Sequence, residues 1–403
     1  MNWKLTVAIA SLLGVIALAG PVTTVPWNGS TGAVSFTYDD ARKSQIPTLL
    51  PQLDALKIKA TFFLTYGAGG DLSTNKAAWI AAGKNGHELA HHTYDHQNVA
   101  AGTTQIKKMA DDIRSMDPSF DAVSFAYPNC NVGAPTEVNA DAFIGRGCGQ
   151  ATYSWGTQPS DWKNVQGLIL NAGAPGPGVN LINSAKSGNS WAVTIVHDVT
   201  ASPDQYSLTP ADNKKMLDAA VSANVWIAPY GTVGAYYRAH FTMDAVTASA
   251  GSGPWNLTWT SPHPKMPTSV KLKVNLATAT FGSKFTVSQD NVAIPANSDG
   301  SYTIDFMKLK MNVTAGTSGI DNRTIYGNAR ASVTGSSLDF TDLTPGNYTV
   351  CLRSASGRLL ERTAISSSSG EGQMALPSSA HGHILVVLDA PGMDTRTFTA
   401  LVP

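Results

Sequence analysis

The chain has 403 residues, 28 basic and 28 acidic, so only 14% are charged and the formal net charge is zero. A nucleic-acid partner would need a basic excess, and a disordered chain would pair low hydrophobicity with high net charge; at 43% hydrophobic and balanced, this chain has neither. Its length suits two or three domains, and its sparsely charged surface suits a neutral polysaccharide or oligosaccharide.

Met1–Lys4 is a short basic start, 5–19 is mainly apolar, and Ala17-Leu18-Ala19 precedes Gly20 as a small-residue cleavage site. A mainly apolar stretch of fifteen residues falls short of the roughly 20 that span a bilayer, so residues 1–19 read as a secretory signal peptide. The expected location is extracellular, cell-surface or periplasmic, with no membrane span after signal cleavage. Such a compartment permits a disulfide. Cys130 and Cys148 flank one segment and form the candidate pair, leaving Cys351 over.

From 30 to 240, strand-like runs appear at 33–38, 59–65, 88–91, 122–126, 148–152, 191–197 and 224–229. Amphipathic stretches at 44–56, 103–116 and 210–222 lie between them. This alternation predicts an α/β domain with parallel strands, a barrel in preference to an open sheet. Residues 245–254 are small, polar and Gly-rich, as linkers are. Beyond them, alternating strands at 269–275, 301–306, 347–353 and 383–388 predict an all-β, sandwich-like region. The expected organisation is a signal peptide at 1–19, an α/β domain at 20–244, a linker at 245–254 and one or two β modules at 255–403. The text from Leu343 to Ile365 resembles small β-sandwich modules, some of which serve as sorting or attachment domains.

The chemistry-bearing residues cluster at strand ends. His92 and His96 in His92-Thr93-Tyr94-Asp95-His96 are four apart, a spacing that shares one face of a helical turn and brings both imidazoles to one metal ion. Asp39-Asp40 follows the first strand-like run, where side chains point to the usual active-site face of an α/β barrel. Phe125-Ala126-Tyr127-Pro128-Asn129, Asp161-Trp162 and Ile195-Val196-His197 complete the set. Singly, each has a plainer reading: a helix cap, a loop start or a core histidine.

Together and in this order they resemble the five motifs of the NodB-homology polysaccharide deacetylases, the family-four carbohydrate esterases. The first two read Thr37-Tyr38-Asp39-Asp40 and His92-Thr93-Tyr94-Asp95-His96, and their flanks KATFFLT and NGHELAHHT also match. The resemblance covers residues 30–240 and implies a distorted (β/α)7 barrel. It implies that Asp40, His92 and His96 hold a divalent metal, zinc first and cobalt or nickel next, with a position open for water. It implies Asp39 as general base, the Asn129 N–H as oxyanion donor, and His197 as the acid held by Asp161. Trp162 and Ile195 would wall the acetyl pocket, and Tyr127 and Pro128 would join them in binding substrate.

One departure stands out. The arginine of the third motif, which in the family pairs with the catalytic aspartate, is Ala126 here, and Arg146 is the conceivable replacement. The implied substrates are an N-acetylglucosamine polymer such as chitin or peptidoglycan, or O-acetylated xylan. A catalytically weak carbohydrate-binding or attachment protein using the same pocket is the alternative. A serine esterase is excluded by the lack of a G-x-S-x-G elbow.

Overall fold

Seven parallel strands close into a ring around the residues of interest. They are β1 (Ala33–Asp39), β2 (Thr61–Leu64), β3 (Glu88–His91), β4 (Ser124–Ala126), β5 (Ile144–Cys148), β6 (Val165–Ile169) and β7 (Ser190–Val196). Each pairs with the next, and β7 returns to β1 with Ala33 opposite Trp191 and Tyr38 opposite Val196. The computed structural model describes residues 20–402 except 150–151, 173–174, 250–252, 316–329, 344–345 and 390–395. The expected signal peptide lies outside the described residues, as do residues 250–252 of the expected linker.

Strands covered on both faces read as continuous apolar runs, and β1 and β7 are buried at every position. Helices α1 (Leu50–Ala55), α2 (Lys76–Lys84), α3 (Gln105–Met116), α4 (Pro135–Asp141), α5 (Gly176–Ser187), α6 (Pro210–Ala223) and α7 (Tyr230–Met243) accompany the strands. In α3, Ile106, Met109, Ala110 and Ile113 form the buried stripe that its periodicity predicts. Pro210 opens α6 behind Thr209, whose hydroxyl accepts the Asp212 N–H at 3.0 Å, and Asn224 ends it in the left-handed region. Phe36, Phe62, Trp79 and Leu217 sit in the core between helices and strands.

Two strand expectations need correction. The fifth strand ends at Cys148 instead of starting there, and β6 was not foreseen at all. In β5 two glycines flank an inward arginine, and β6 carries Gln166 and Gly167, so neither shows an apolar run. Gly167 is required by packing: a Cβ there would stand 2.9 Å from Ile195 Cγ1. The segment expected at 224–229 contributes only Trp226–Ile227, paired to the start of β1 outside the ring of seven.

The chain divides into two compact units, residues 1–280 with 287–313, and 281–286 with 314–403. The first therefore extends past residue 244: Val22–Thr24 pairs with Lys271–Leu276, and Trp255–Thr258 with Lys310–Ala315. The second has two antiparallel sheets, of three and four strands. Leu338 and Phe340 from one sheet share a core with Val350, Leu352, Val386 and Leu388 from the other, the arrangement expected of a sandwich. Cys351 is an unbridged, partly buried thiol. No helix among the described residues is long and apolar enough to cross a membrane.

Candidate active site

The carboxyl ends of β1, β3, β4, β5, β6 and β7 surround a cavity of about 380 Å3. Asp39, Asp40, His92, His96, Tyr127, Asn129, Ile195 and His197 line it, as the sequence predicts; Arg42, Arg146, Ile169 and Tyr206 line it too. A larger cavity, about 630 Å3, lies where strands begin, beside Glu88, Val123 and Trp226, and holds none of the predicted residues. The smaller one is the candidate because the titratable groups converge on it.

Asp39 closes β1, and the chain then turns through two left-handed residues, Asp40 (φ 73°) and Ala41 (φ 49°). Gly70 packs on this turn; a Cβ there would meet the Asp40 carbonyl oxygen at 2.1 Å. The histidine pair is not on a helix. Thr93 and His96 are both left-handed (φ 57°), and the loop curls until the His92 and His96 rings are 4.9 Å apart. The four-residue spacing thus works through a tight loop pinned by Tyr66 N–H to the Tyr94 carbonyl and Tyr94 N–H to the Gln105 carbonyl.

Asp40, His92 and His96 offer ligand atoms within 4.8 Å of one another. Asp40 Oδ1 is buried without a hydrogen-bond partner among the described residues. Nε2 of His96 and of His92 lie 3.3 and 3.6 Å from it. His92 Nδ1 donates to the Ala126 carbonyl at 2.8 Å, which leaves Nε2 free to ligate. Arg42 holds the other Asp40 oxygen at 2.9 Å. An orphaned carboxylate oxygen facing two imidazole nitrogens is a donor set that fits a divalent cation. Burial lowers the His92 pKa to about 4 against the pull of Asp39 and Asp40, so the ring is neutral, as a ligand must be.

Arg146 settles the question raised by Ala126. The two are register partners on β4 and β5, so their side chains leave the barrel wall on the same face. From there the buried Arg146 Nη2 reaches Asp39 Oδ2 at 2.7 Å. Burial alone would raise the Asp39 pKa; Arg146, with His92 and His197 beyond it, outweighs burial and holds it below the ordinary carboxylate value.

His197 is partly exposed, with Nε2 3.9 Å from Asp40 Oδ2. Its Nδ1 is 3.3 Å from the Tyr206 carbonyl oxygen, a contact that favours a proton on Nδ1. Asn129 is left-handed (φ 56°) in the turn Pro128–Cys130, and its amide donates to Asn98 Oδ1 at 3.0 Å. Pro128 is buried beneath that turn. Cys130 and Cys148 are bridged, with Cα atoms 5.4 Å apart, and both line the cavity.

Asp161 and Trp162 do not reach the site. They precede β6 at its amino end, where the Trp162 carbonyl accepts the Gly145 N–H. Asp161 caps Lys163 N–H at 2.9 Å and pairs with Lys163 Nζ at 2.8 Å. Trp162 packs on Tyr237 and under the Arg238 guanidinium. The partner expected of Asp161 is supplied to His197 by a backbone carbonyl instead. His91, next to His92 in the chain, does not line the cavity: it is buried against Phe125, and burial lowers its pKa to about 3.

Residues 28–138 match the family model described as polysaccharide deacetylase. Over 210 residues the chain is 27% identical to a chitooligosaccharide deacetylase of Sinorhizobium fredii, covering 49% of this chain and 87% of that protein. It is 25% identical over 182 residues to a bifunctional xylanase/deacetylase of Pseudobutyrivibrio xylanivorans, covering 44% and 27%. The solved chitin deacetylase of Colletotrichum lindemuthianum aligns with a TM-score of 0.34 and 17% identity, over 50% of this chain and 87% of that one.

Proposed function

We propose that this chain, a member of the polysaccharide deacetylase family and so a hydrolase acting on acetyl groups, is a secreted enzyme that removes acetyl from N-acetylglucosamine polymers. The observation that carries the reading is the Asp40–His92–His96 triangle beside an Arg146-paired Asp39, with His197 across the same cavity. The chitooligosaccharide deacetylase matched along most of its length supports the amide substrate. O-acetylated xylan is the second reading, favoured by the xylanase-linked relative.

Zinc suits one carboxylate and two imidazoles, and when bound it supplies Lewis-acid polarisation of the acetyl carbonyl and a water of lowered pKa. The protein's residues do the rest. Asp39, kept ionised by Arg146, takes the proton of the attacking water. The Asn129 backbone N–H donates to the developing oxyanion. Ile169, Ile195 and Tyr127 receive the acetyl methyl group. His197, protonated on Nε2, returns a proton to the departing sugar nitrogen, a step worth roughly 10²–10⁴-fold. Secretion is supported by the leader-like residues 1–19 and the Cys130–Cys148 bridge.

Acetate release from chitooligosaccharides, peptidoglycan and acetylxylan, with and without chelator, tests the proposal. Chelator-sensitive release, fastest on chitooligosaccharides, is expected. Release on none of them, with sugar binding retained, would overturn it in favour of a carbohydrate-binding or attachment role.

A further inference from the structure

One large side chain at the cavity has no task in this mechanism. Tyr206 lines the cavity beside His197, with ring centroids 5.5 Å apart and planes at 43°, yet it is 42% exposed. Its position is closely fixed. The Tyr206 carbonyl accepts the His197 N–H at 2.9 Å. Asp204 Oδ1 accepts both the Tyr206 N–H at 2.9 Å and the Ser207 hydroxyl at 2.6 Å. The base of the loop is closed by the Val199–Leu208 bridge and by Leu208 N–H to the Asp198 carbonyl. Ser44 ties Asp198 to the β1 side of the cavity at 2.6 Å. An aromatic ring is thus held in water by a backbone that is fully tied.

An exposed ring costs hydrophobic free energy, and a rigid aromatic with a polar tip is the group that packs a partly apolar surface while its hydroxyl stays wet. A pyranose presents such a surface in its axial C–H face. Asn129, another exposed side chain lining the cavity, does not supply it, because it has no ring and its side-chain amide is bonded to Asn98.

We propose that Tyr206 is the platform on which the sugar ring carrying the acetyl group packs, which makes it a specificity-determining residue. The inference rests on the deacetylase reading for the identity of the sugar. Because the Tyr206 carbonyl holds His197, the residue registers the sugar directly against the proton donor. Substitutions at 206 keep that carbonyl and change only the ring.

Calorimetric binding of N-acetylglucosamine tetrasaccharide to chelator-treated protein reads the platform without turnover, and kinetics on the zinc-loaded protein read it again. Tyr206→Ala is expected to weaken binding and raise KM by about tenfold, a 1.4 kcal/mol effect, with a smaller fall in kcat. Tyr206→Phe and Tyr206→Trp are expected to restore both. Unchanged affinity and KM in Tyr206→Ala would overturn the proposal, as would a loss confined to kcat or a parent protein that binds no tetrasaccharide. Binding that depends on Tyr206 in a protein releasing no acetate would sustain the platform and sink the hydrolase reading instead.

Discussion

Removing the Arg146 guanidinium tests the centre of the site most directly. Its Nη2 is 2.7 Å from Asp39 Oδ2, and the two side chains are only 1% and 4% exposed. Arg146→Met strands Asp39 as a buried carboxylate beside Asp40. Breaking a buried pair from one side costs roughly 3–5 kcal/mol. The lower half of that range applies here, because Asp39 Oδ1 and Arg146 Nε and Nη1 lack hydrogen-bond partners among the described residues. Part of the attraction is therefore spent on incomplete desolvation. Asp39→Asn strands the guanidinium at a similar cost. Combining the two leaves no unpaired charge, so the double variant should cost about as much as either single one and not their sum, a coupling of about 3–4 kcal/mol in a double-mutant cycle. Guanidinium unfolding in the presence of chelator measures it free of metal linkage. Turnover should follow another rule: the double variant is stable but inactive, because an amide cannot take the water's proton. Additive single losses would remove the pair as a structural element, and parent-level acetate release by the double variant would remove Asp39 as base.

His96→Ala should keep the fold and lose bound zinc, measured by elemental analysis of dialysed protein; full loading with normal acetate release would refute the ligand set. Asp161→Ala should leave kcat within about twofold and cost under about 1 kcal/mol, the worth of an exposed ion pair; a kcat loss on the scale expected for a group positioning the acid would reinstate the role that the motif resemblance implies. The metal-free protein should lose stability on acidification. Burial depresses His91 to about 3, and His92 and His263 to about 4, from 6.5. Between those values the unfolded chain binds more protons, so this contribution is complete above about 6.5 and falls as pH drops toward 4. The Asp39 pKa, also depressed, adds loss in the same direction at lower pH. Denaturant midpoints at pH 7.5 and 4.5 check this, and equal midpoints would contradict it.

How much of this was legible in the sequence depended on whether a residue's job shows in its neighbours. Asp39, Asp40, His92 and His197 sit where buried apolar strands end, so strand and site announce each other. The strands β5 and β6 stayed hidden because Gly145 and Gly147 alternate with Arg146 in one, and Gln166 and Gly167 interrupt the other, so neither carries a hydrophobic period. Tyr206 was missed because its signal is tertiary: nothing in a polar loop tells that one carbonyl fixes His197. Asp161-Trp162 misled for the opposite reason. As a dipeptide it matches a motif, but it lies before its strand, and the side chains at the amino ends of barrel strands cannot reach the carboxyl-end cavity.

The Ala126–Arg146 exchange explains why a degraded motif need not mean a degraded site. What the chemistry requires is a guanidinium at one point beside Asp39, and two adjacent parallel strands in register offer two launching positions about 5 Å apart. An arginine is long enough to serve from either, provided the other position is small enough to let it pass. Alanine meets that condition at 126. The prediction is reciprocal: Ala126→Arg should damage the parent, where two guanidinium groups compete for one carboxylate, yet partly rescue Arg146→Ala in both stability and acetate release. If Ala126→Arg fails to rescue Arg146→Ala in a folded, zinc-loaded protein, the two positions are not interchangeable, and the particular approach of Arg146 to Asp39, not merely its charge, is what the site needs.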